Sequence, residues 1–355
     1  MRQMKRIGIL TSGGDAPGMN AAVRAATLAA LAQGIKLYGI QQGYRGLYDG
    51  NWEELTLEKV DRIHSRGGTI LRTARFMPFM NPETLQPAID QCLRNCKKDQ
   101  IDGLIVVGGD GSFRGARDLS HNGLPCVGLP ATIDNDISCT DFTIGFDTAL
   151  NTVMRQVDTI SDTAFSHDRC MVIETMGNKA GALPLYASIT AGATAVILSE
   201  FGGYDFPDEG EMSTELQARF EGDIIARIKE AQARGREYFI VFVAEGITGK
   251  KDKQGKTCYP GGVEALAKAI NKTLGIDARA DALAYVQRGG SPTASDRLLA
   301  TKMGDYAVNL LAKGLSDRVV GILKGELVDY EIDEGLAMPK RLSEEDYQLA
   351  LRVAL

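Results

Sequence analysis

The sequence predicts an α/β fold of mostly parallel sheets with helices on both faces. Two observations carry this expectation. Short apolar runs alternate with longer segments of helical periodicity along almost the whole chain, and glycine- and acid-rich turns follow several of those runs. In sheets of this kind ligands bind outside the carboxyl ends of the strands, so the turns are where chemistry is expected. A length of 355 residues with 44% hydrophobic content supports a sizeable core, as two domains or one large α/β unit.

Taken in order, residues 6–10 read as a strand, the turn TSGGDAPGMN follows, and a helix starts at about Met19. Residues 36–40 read as a strand, 82–97 as a helix and 103–107 as a strand that ends in GGDGS. The next strand, 126–129, runs directly into ATIDND. Residues 145–164 form one long helical pattern, with Leu150, Val153, Met154, Val157 and Ile160 on its apolar side, suited to connecting two domains. Further strands are expected at 170–174, 195–198, 239–244 and 282–286, and polar, glycine-rich surface insertions at 201–212 and 246–262.

Composition excludes several classes. A net charge of −6 with both signs interspersed lacks the basic face that nucleic acid requires. The apolar runs fall far short of the roughly 20 residues of a membrane span, and the first residues lack a signal-peptide core, so a cytoplasmic protein is expected. Six scattered cysteines (Cys92, Cys96, Cys126, Cys139, Cys170, Cys258) show no CxxC spacing and are read as buried reduced thiols. Three histidines (His64, His121, His167) are too few to suggest a His-based metal centre or a Ser/His/Asp triad.

Three turns can carry chemistry. In TSGGDAPGMN, glycines allow close backbone approach and the following helix offers free amides, which makes either an anion site or a plain strand-to-helix turn. VVGGDGSFRGA lacks the Lys-Ser/Thr pair of a P-loop and misses GxGxxG by one residue. Gly109 and Gly111 still let amides reach a polyphosphate, and Asp110 can hold magnesium. In TIDND, Asp134 and Asp136 are expected to project differently from a strand end, one accepting a hydroxyl proton and the other orienting metal or water; an Asx-rich helix cap is the alternative. Phosphate cradle, metal ligand and base together point to phosphoryl transfer, with Arg75, Arg169, Arg279 and Arg288 as candidate phosphate ligands.

TSGGDAPGMN, RGGT, ARF, GGDGS, TIDND, GFDTA and QRGGSP, in this order, closely resemble the bacterial-type ATP-dependent 6-phosphofructokinase family. The resemblance implies two Rossmann-like three-layer α/β/α domains: 1–145 with 287–337 binding ATP, and 146–286 with 338–355 binding sugar phosphate and contacting other subunits. It implies transfer of the γ-phosphoryl of MgATP to the 1-hydroxyl of fructose 6-phosphate, with Asp134 as base and Asp136, Thr132 and Arg75 beside it. Gly14, Tyr44, Arg75, Phe76, Gly109, Asp110, Gly111 and Ser112 would surround ATP, with Asp110 on magnesium. Thr132, Ile133, Asp134, Met176, Gly177, Asn178, Glu245, Tyr285 and Arg288 would take the sugar phosphate, joined by Arg169 and Arg279 from a neighbouring subunit of a homotetramer.

The chain departs from the family pattern at several positions. Ala131 stands where ATP users commonly have glycine, and with Gly111 it leaves room for an α-phosphate. Asn178 replaces a usual arginine, Tyr285 a usual histidine, and Arg72 lies where glycine is common. The family's effector pocket keeps Arg24, Arg234 and Arg236 but has Leu28, Leu57, Ser161 and Thr194 at positions usually charged, so weak or altered regulation by ADP and phosphoenolpyruvate is expected. A pyrophosphate-dependent enzyme, a sugar-phosphate kinase of wider choice and a catalytically silent nucleotide-binding paralogue remain the alternatives.

Overall fold

The computed structural model describes residues 4–198, 200, 213–245, 247, 250–251, 257–258, 262–339 and 342–354. It divides into two compact units, Met1–Thr148 with Arg288–Lys340 and Ala149–Gln287 with Arg341–Leu355. The strands in chain order are β1 (Arg6–Thr11), β2 (Lys36–Ile40), β3 (Trp52–Glu54), β4 (Gly103–Gly108), β5 (Cys126–Pro130), β6 (Cys170–Thr175), β7 (Ala195–Ile197), β8 (Phe239–Ala244), β9 (Lys250–Lys251), β10 (Thr257–Cys258), β11 (Ala278–Ala282), β12 (Arg318–Leu323) and β13 (Glu326–Glu331).

The sheet of the first unit has the order β13-β12-β5-β4-β1-β2-β3. Its five inner strands are parallel, while β3 and β13 pair antiparallel at the two edges. Every residue of β4, GLIVVG, is buried, as a parallel strand covered on both faces requires. On one face Leu104 and Val106 pack into a cluster with Phe113, Ala116 and Leu119 of helix Asp110–His121 and with Ile89, Cys92 and Cys96 of helix Pro82–Asp99. Helix Ala294–Ala312 packs on β4, β5 and β12 and also on helix Met19–Ala32. Those two helices approach closely at Gly304, where a Cβ would stand 2.8 Å from the Ala22 carbonyl oxygen.

The long helix, Phe146–Ser166, is capped from a distance. Asp296, only 1% exposed, accepts hydrogen bonds from the N–H groups of Gly145 and Thr148 at 2.8 Å each and from the Thr148 hydroxyl at 2.5 Å. Its carboxylate thereby satisfies amides that the start of a helix leaves open.

The second unit has a parallel sheet of order β11-β6-β8-β7. The expected strand at 282–286 is corrected here: β11 ends at Ala282, and Ala284–Arg288 is a 3-10 turn. Ala284 turns the chain with φ 45°, and the fully buried Gln287 side chain closes the turn by donating to the Ala284 carbonyl at 3.0 Å. The insertion at 201–212 lies outside the described residues, as does most of 246–262.

Cys92, Cys96, Cys126, Cys139 and Cys170 are buried and in no disulfide, as expected, and burial pushes Cys92, Cys96 and Cys170 up to about 12. Among the described residues no helix is long and apolar enough to cross a membrane.

Candidate active site

Three chemistry-bearing loops of the first unit leave the carboxyl ends of neighbouring strands, β1, β4 and β5. Main-chain bonds stitch them together. Ser12 N–H donates to the Val107 carbonyl and Ala131 N–H to the Gly108 carbonyl, both at 3.0 Å. Gly108 admits this proximity because a Cβ there would collide with the Ser12 carbonyl and would stand 2.5 Å from the Ser112 hydroxyl. Gly14 plays a different part: a Cβ would lie 2.6 Å from Nη1 of Arg288, which lies over this glycine and donates to the Asp15 carbonyl at 3.2 Å.

TIDND is not a strand end with alternating side chains, which corrects the expectation for Asp134 and Asp136. After β5 only Ala131 makes a further bridge, to Ile144, and the chain then bends. Asn135 between the two acids has φ 49°, a left-handed geometry asparagine tolerates better than most residues. Its buried side chain fixes the bend, accepting from Thr143 N–H at 3.0 Å and donating to the Asp141 carbonyl at 3.2 Å. Thr143 donates its hydroxyl to the Thr132 carbonyl at 2.6 Å, and Asp134 N–H donates to the Thr132 hydroxyl at 3.2 Å. Thr132 and Ile133 are buried; Asp134 and Asp136 are half-buried.

The segment carrying Arg75 and Phe76 is fastened to the first loop by side chains that sequence reasoning missed. Asn20, 1% exposed, donates to the carbonyls of Arg66 and Gly67 and accepts from Ile70 N–H at 2.8 Å. Thr11 and Thr73 hold the next turn through the Arg72 and Gly13 carbonyls, at 2.9 and 2.7 Å. Arg72 takes φ 58°, a strain of about 1 kcal/mol for a residue with a Cβ. Arg75 is exposed, and Phe76 is half-buried, with its ring 5.3 Å from Tyr48 and 5.6 Å from Phe79. Tyr44 is buried, its ring stacked 4.7 Å from Phe79 and its hydroxyl bonded to the Ser112 carbonyl; burial holds its phenol well above the usual range.

Gly109 caps helix Asp110–His121, so the helix opens with Asp110, Gly111 and Ser112 directly after the end of β4. Asp110 pairs with Arg114 one turn on, and both bonds, from Nε at 3.0 Å and Nη2 at 2.9 Å, fall on Oδ2. Oδ1 is therefore the oxygen open to a cation. Among the described residues no cluster of three His, Cys, Asp or Glu can hold a metal alone. One carboxylate suits magnesium that arrives on a nucleotide, because that ion is commonly held by one or two carboxylates together with substrate phosphates.

In the second unit, the Glu245 carboxylate grips the MGN turn: Oε2 accepts from Gly177 N–H at 3.3 Å and Asn178 N–H at 3.4 Å, while Met176 N–H donates to Gln287 Oε1 at 3.1 Å. Asn178 sits at φ 55°. Tyr285 is 79% exposed. Glu174 on β6 is a further acid near this turn, raised to about 7 by burial and by the charges of Glu245 and Glu264. Arg169 and Arg279 converge on Asp277, with Nε of Arg169 2.7 Å from Oδ2 and Nε of Arg279 2.8 Å from Oδ1. Hydrogen bonding from Arg169 holds Asp277 below the usual carboxylate range. Asp277 opens the DARAD segment that contains Arg279, so the charge pattern was available to find it.

Comparison with known proteins places these motifs. The family profile described as Phosphofructokinase matches residues 6–311. The chain is 45% identical over 352 residues to the ATP-dependent 6-phosphofructokinase of Bacillus cereus, covering 99% of this chain and 100% of that one. It is 44% identical, over the same shares, to the protein of that name from Brevibacillus brevis. Among solved structures, phosphofructokinase from Saccharomyces cerevisiae superposes with a TM-score of 0.80 at 32% identity, covering 99% of this chain and 48% of the yeast chain, so the chain spans about half the yeast protein's length. The chain belongs to the phosphofructokinase family.

Proposed function

We propose that this protein transfers the γ-phosphoryl group of ATP to the 1-hydroxyl of fructose 6-phosphate, giving fructose 1,6-bisphosphate in glycolysis. The observation that carries this reading is the stitching of a glycine turn, a helix start led by Asp110 and the TIDND bend at three neighbouring strand ends. Full-length identity to proteins named ATP-dependent 6-phosphofructokinase supports the choice of donor and acceptor.

In this reading Asp134 accepts the proton of the attacking hydroxyl, and the Asn135 and Thr143 hydrogen bonds hold the bend that presents it. Thr132, Asp136 and Arg75 assist, Asp136 by orienting water or metal. Gly14, Tyr44, Arg75, Phe76, Gly109, Asp110, Gly111 and Ser112 serve the nucleotide, with Tyr44 acting from beneath by supporting the Ser112 carbonyl. Asp110 would hold magnesium arriving with the nucleotide, which would supply neutralisation of phosphate charge. Thr132, Ile133, Met176, Gly177, Asn178, Glu245, Tyr285 and Arg288 recognise the sugar phosphate. Arg169 and Arg279 supply a phosphate-binding pair to a neighbouring subunit of a homotetramer in the cytoplasm.

A coupled assay with MgATP and fructose 6-phosphate tests this directly. Asp134→Ala is expected to lower kcat by about 10²–10⁴-fold with little change in either KM. Turnover that survives the substitution, or robust activity with pyrophosphate in place of ATP, overturns the reading.

A further inference from the structure

The loop that presents Arg75 holds a second arginine, Arg72, in a backbone geometry that fold stability does not favour. At φ 58° a side chain crowds its own backbone where glycine would not. The peptide is nevertheless tied down on both sides. Arg72 N–H donates to the Thr69 carbonyl at 3.2 Å, its own carbonyl accepts from the Thr11 hydroxyl at 2.9 Å, and the next residue, Thr73, donates to the Gly13 carbonyl at 2.7 Å. Thr11 and Gly13 belong to the TSGGD turn, so Arg72 is built onto that turn.

The side chain serves no evident structural purpose. Arg72 is exposed, and among the described residues its guanidinium enters no ion pair or side-chain hydrogen bond. Arg62, Arg114 and Arg117 of the same unit, by contrast, each pair with an aspartate. A cation held in a strained position, bonded through its peptide to a glycine turn and left uncommitted, is placed for an anionic ligand.

We propose that Arg72 is a further phosphate-binding residue, its guanidinium taking oxygens of the polyphosphate chain of the donor nucleotide beside Arg75. This rests on the reading that the TSGGD and GGDGS turns cradle ATP. Charge-assisted bonds from a planar guanidinium suit a polyphosphate, and lysine at this position would supply only a point charge.

The test compares wild type, Arg72→Gly and Arg72→Lys by calorimetric titration with MgATP and with adenosine, alongside steady-state KM values. Arg72→Gly is expected to weaken MgATP binding and raise its KM about tenfold, to leave adenosine binding and the KM for fructose 6-phosphate unchanged, and not to lower Tm, since glycine relieves the φ strain. Arg72→Lys should fall between the two. The proposal is overturned if Arg72→Gly binds MgATP as wild type does, if adenosine and MgATP weaken equally, or if only the sugar-phosphate KM moves. Wild-type protein that binds no MgATP would overturn the functional reading itself; normal wild-type binding with an unaffected variant overturns this inference alone.

Discussion

Asp277 receives Arg169 on one carboxylate oxygen at 2.7 Å while its other oxygen faces Arg279 at 2.8 Å, so a single acid spans an arginine just before β6 and one on β11. Both guanidinium groups are thus held by one acid already present in the chain.

The pH dependence of that arrangement has a definite sign. Asp277 is held below its usual value of 3.8, so its contribution to stability is complete above that value and fades as pH falls through the lower, folded value. Because the Asp277 side chain is 38% exposed and the pairs are screened by water, Asp277→Asn should cost less than about 1 kcal/mol at neutral pH. In thermal melts the gap between variant and wild type should be constant from pH 5 to about pH 8 and close toward about pH 3. A gap that widens in acid contradicts the assignment.

Glu174 behaves in the opposite sense. Burial and two acidic neighbours raise it from 4.5 to about 7, so the fold favours its protonated form and wild-type stability declines as pH rises across that interval. Glu174→Gln should therefore melt above wild type at about pH 8 and converge with it below about pH 5. Equal melting temperatures across the range would show that Glu174 titrates normally.

Asn178→Arg should lower the KM for fructose 6-phosphate by adding positive charge to the MGN turn, which Glu245 fixes through Gly177 and Asn178. The same change should lower Tm, because φ 55° suits asparagine better than arginine, by about 1 kcal/mol. Kinetics and melts on one preparation separate the effects. An unchanged KM counts against the charge argument.

Asp296→Ala removes the acceptor for Gly145 N–H, Thr148 N–H and the Thr148 hydroxyl at a site 1% exposed. Buried donors left without partners predict a loss of about 2–4 kcal/mol in denaturant unfolding, while Asp296→Asn, which keeps one acceptor oxygen, should lose less. Equal losses would mean that packing, not hydrogen bonding, dominates there.

Much of this was legible in the residues because its causes are local. β4 and β8 are continuous apolar runs, β1 has an apolar centre at residues 7–10, and the glycine turns after β1 and β4 announce themselves by composition. β11 was misplaced because ARADA alternates alanine with charge and carries no apolar run, whereas the apolar YV that follows lies in a turn closed by Gln287. The TIDND bend was hidden for another reason: Thr143 and Asp141, which fasten it, lie several residues downstream, and only the folded chain brings them to Asn135. Asn20 likewise reaches a loop about fifty positions on, a pairing no local pattern encodes.

The strand-end loops are sewn to one another chiefly by peptide groups, Ser12 to Val107 and Ala131 to Gly108. A seam made of main chain constrains side chains only where backbones crowd, as at Gly108, where a Cβ would collide with the Ser12 carbonyl. Replacing the exposed Arg75 or the half-buried Asp134 therefore alters the chemistry on display without cutting the peptide seam.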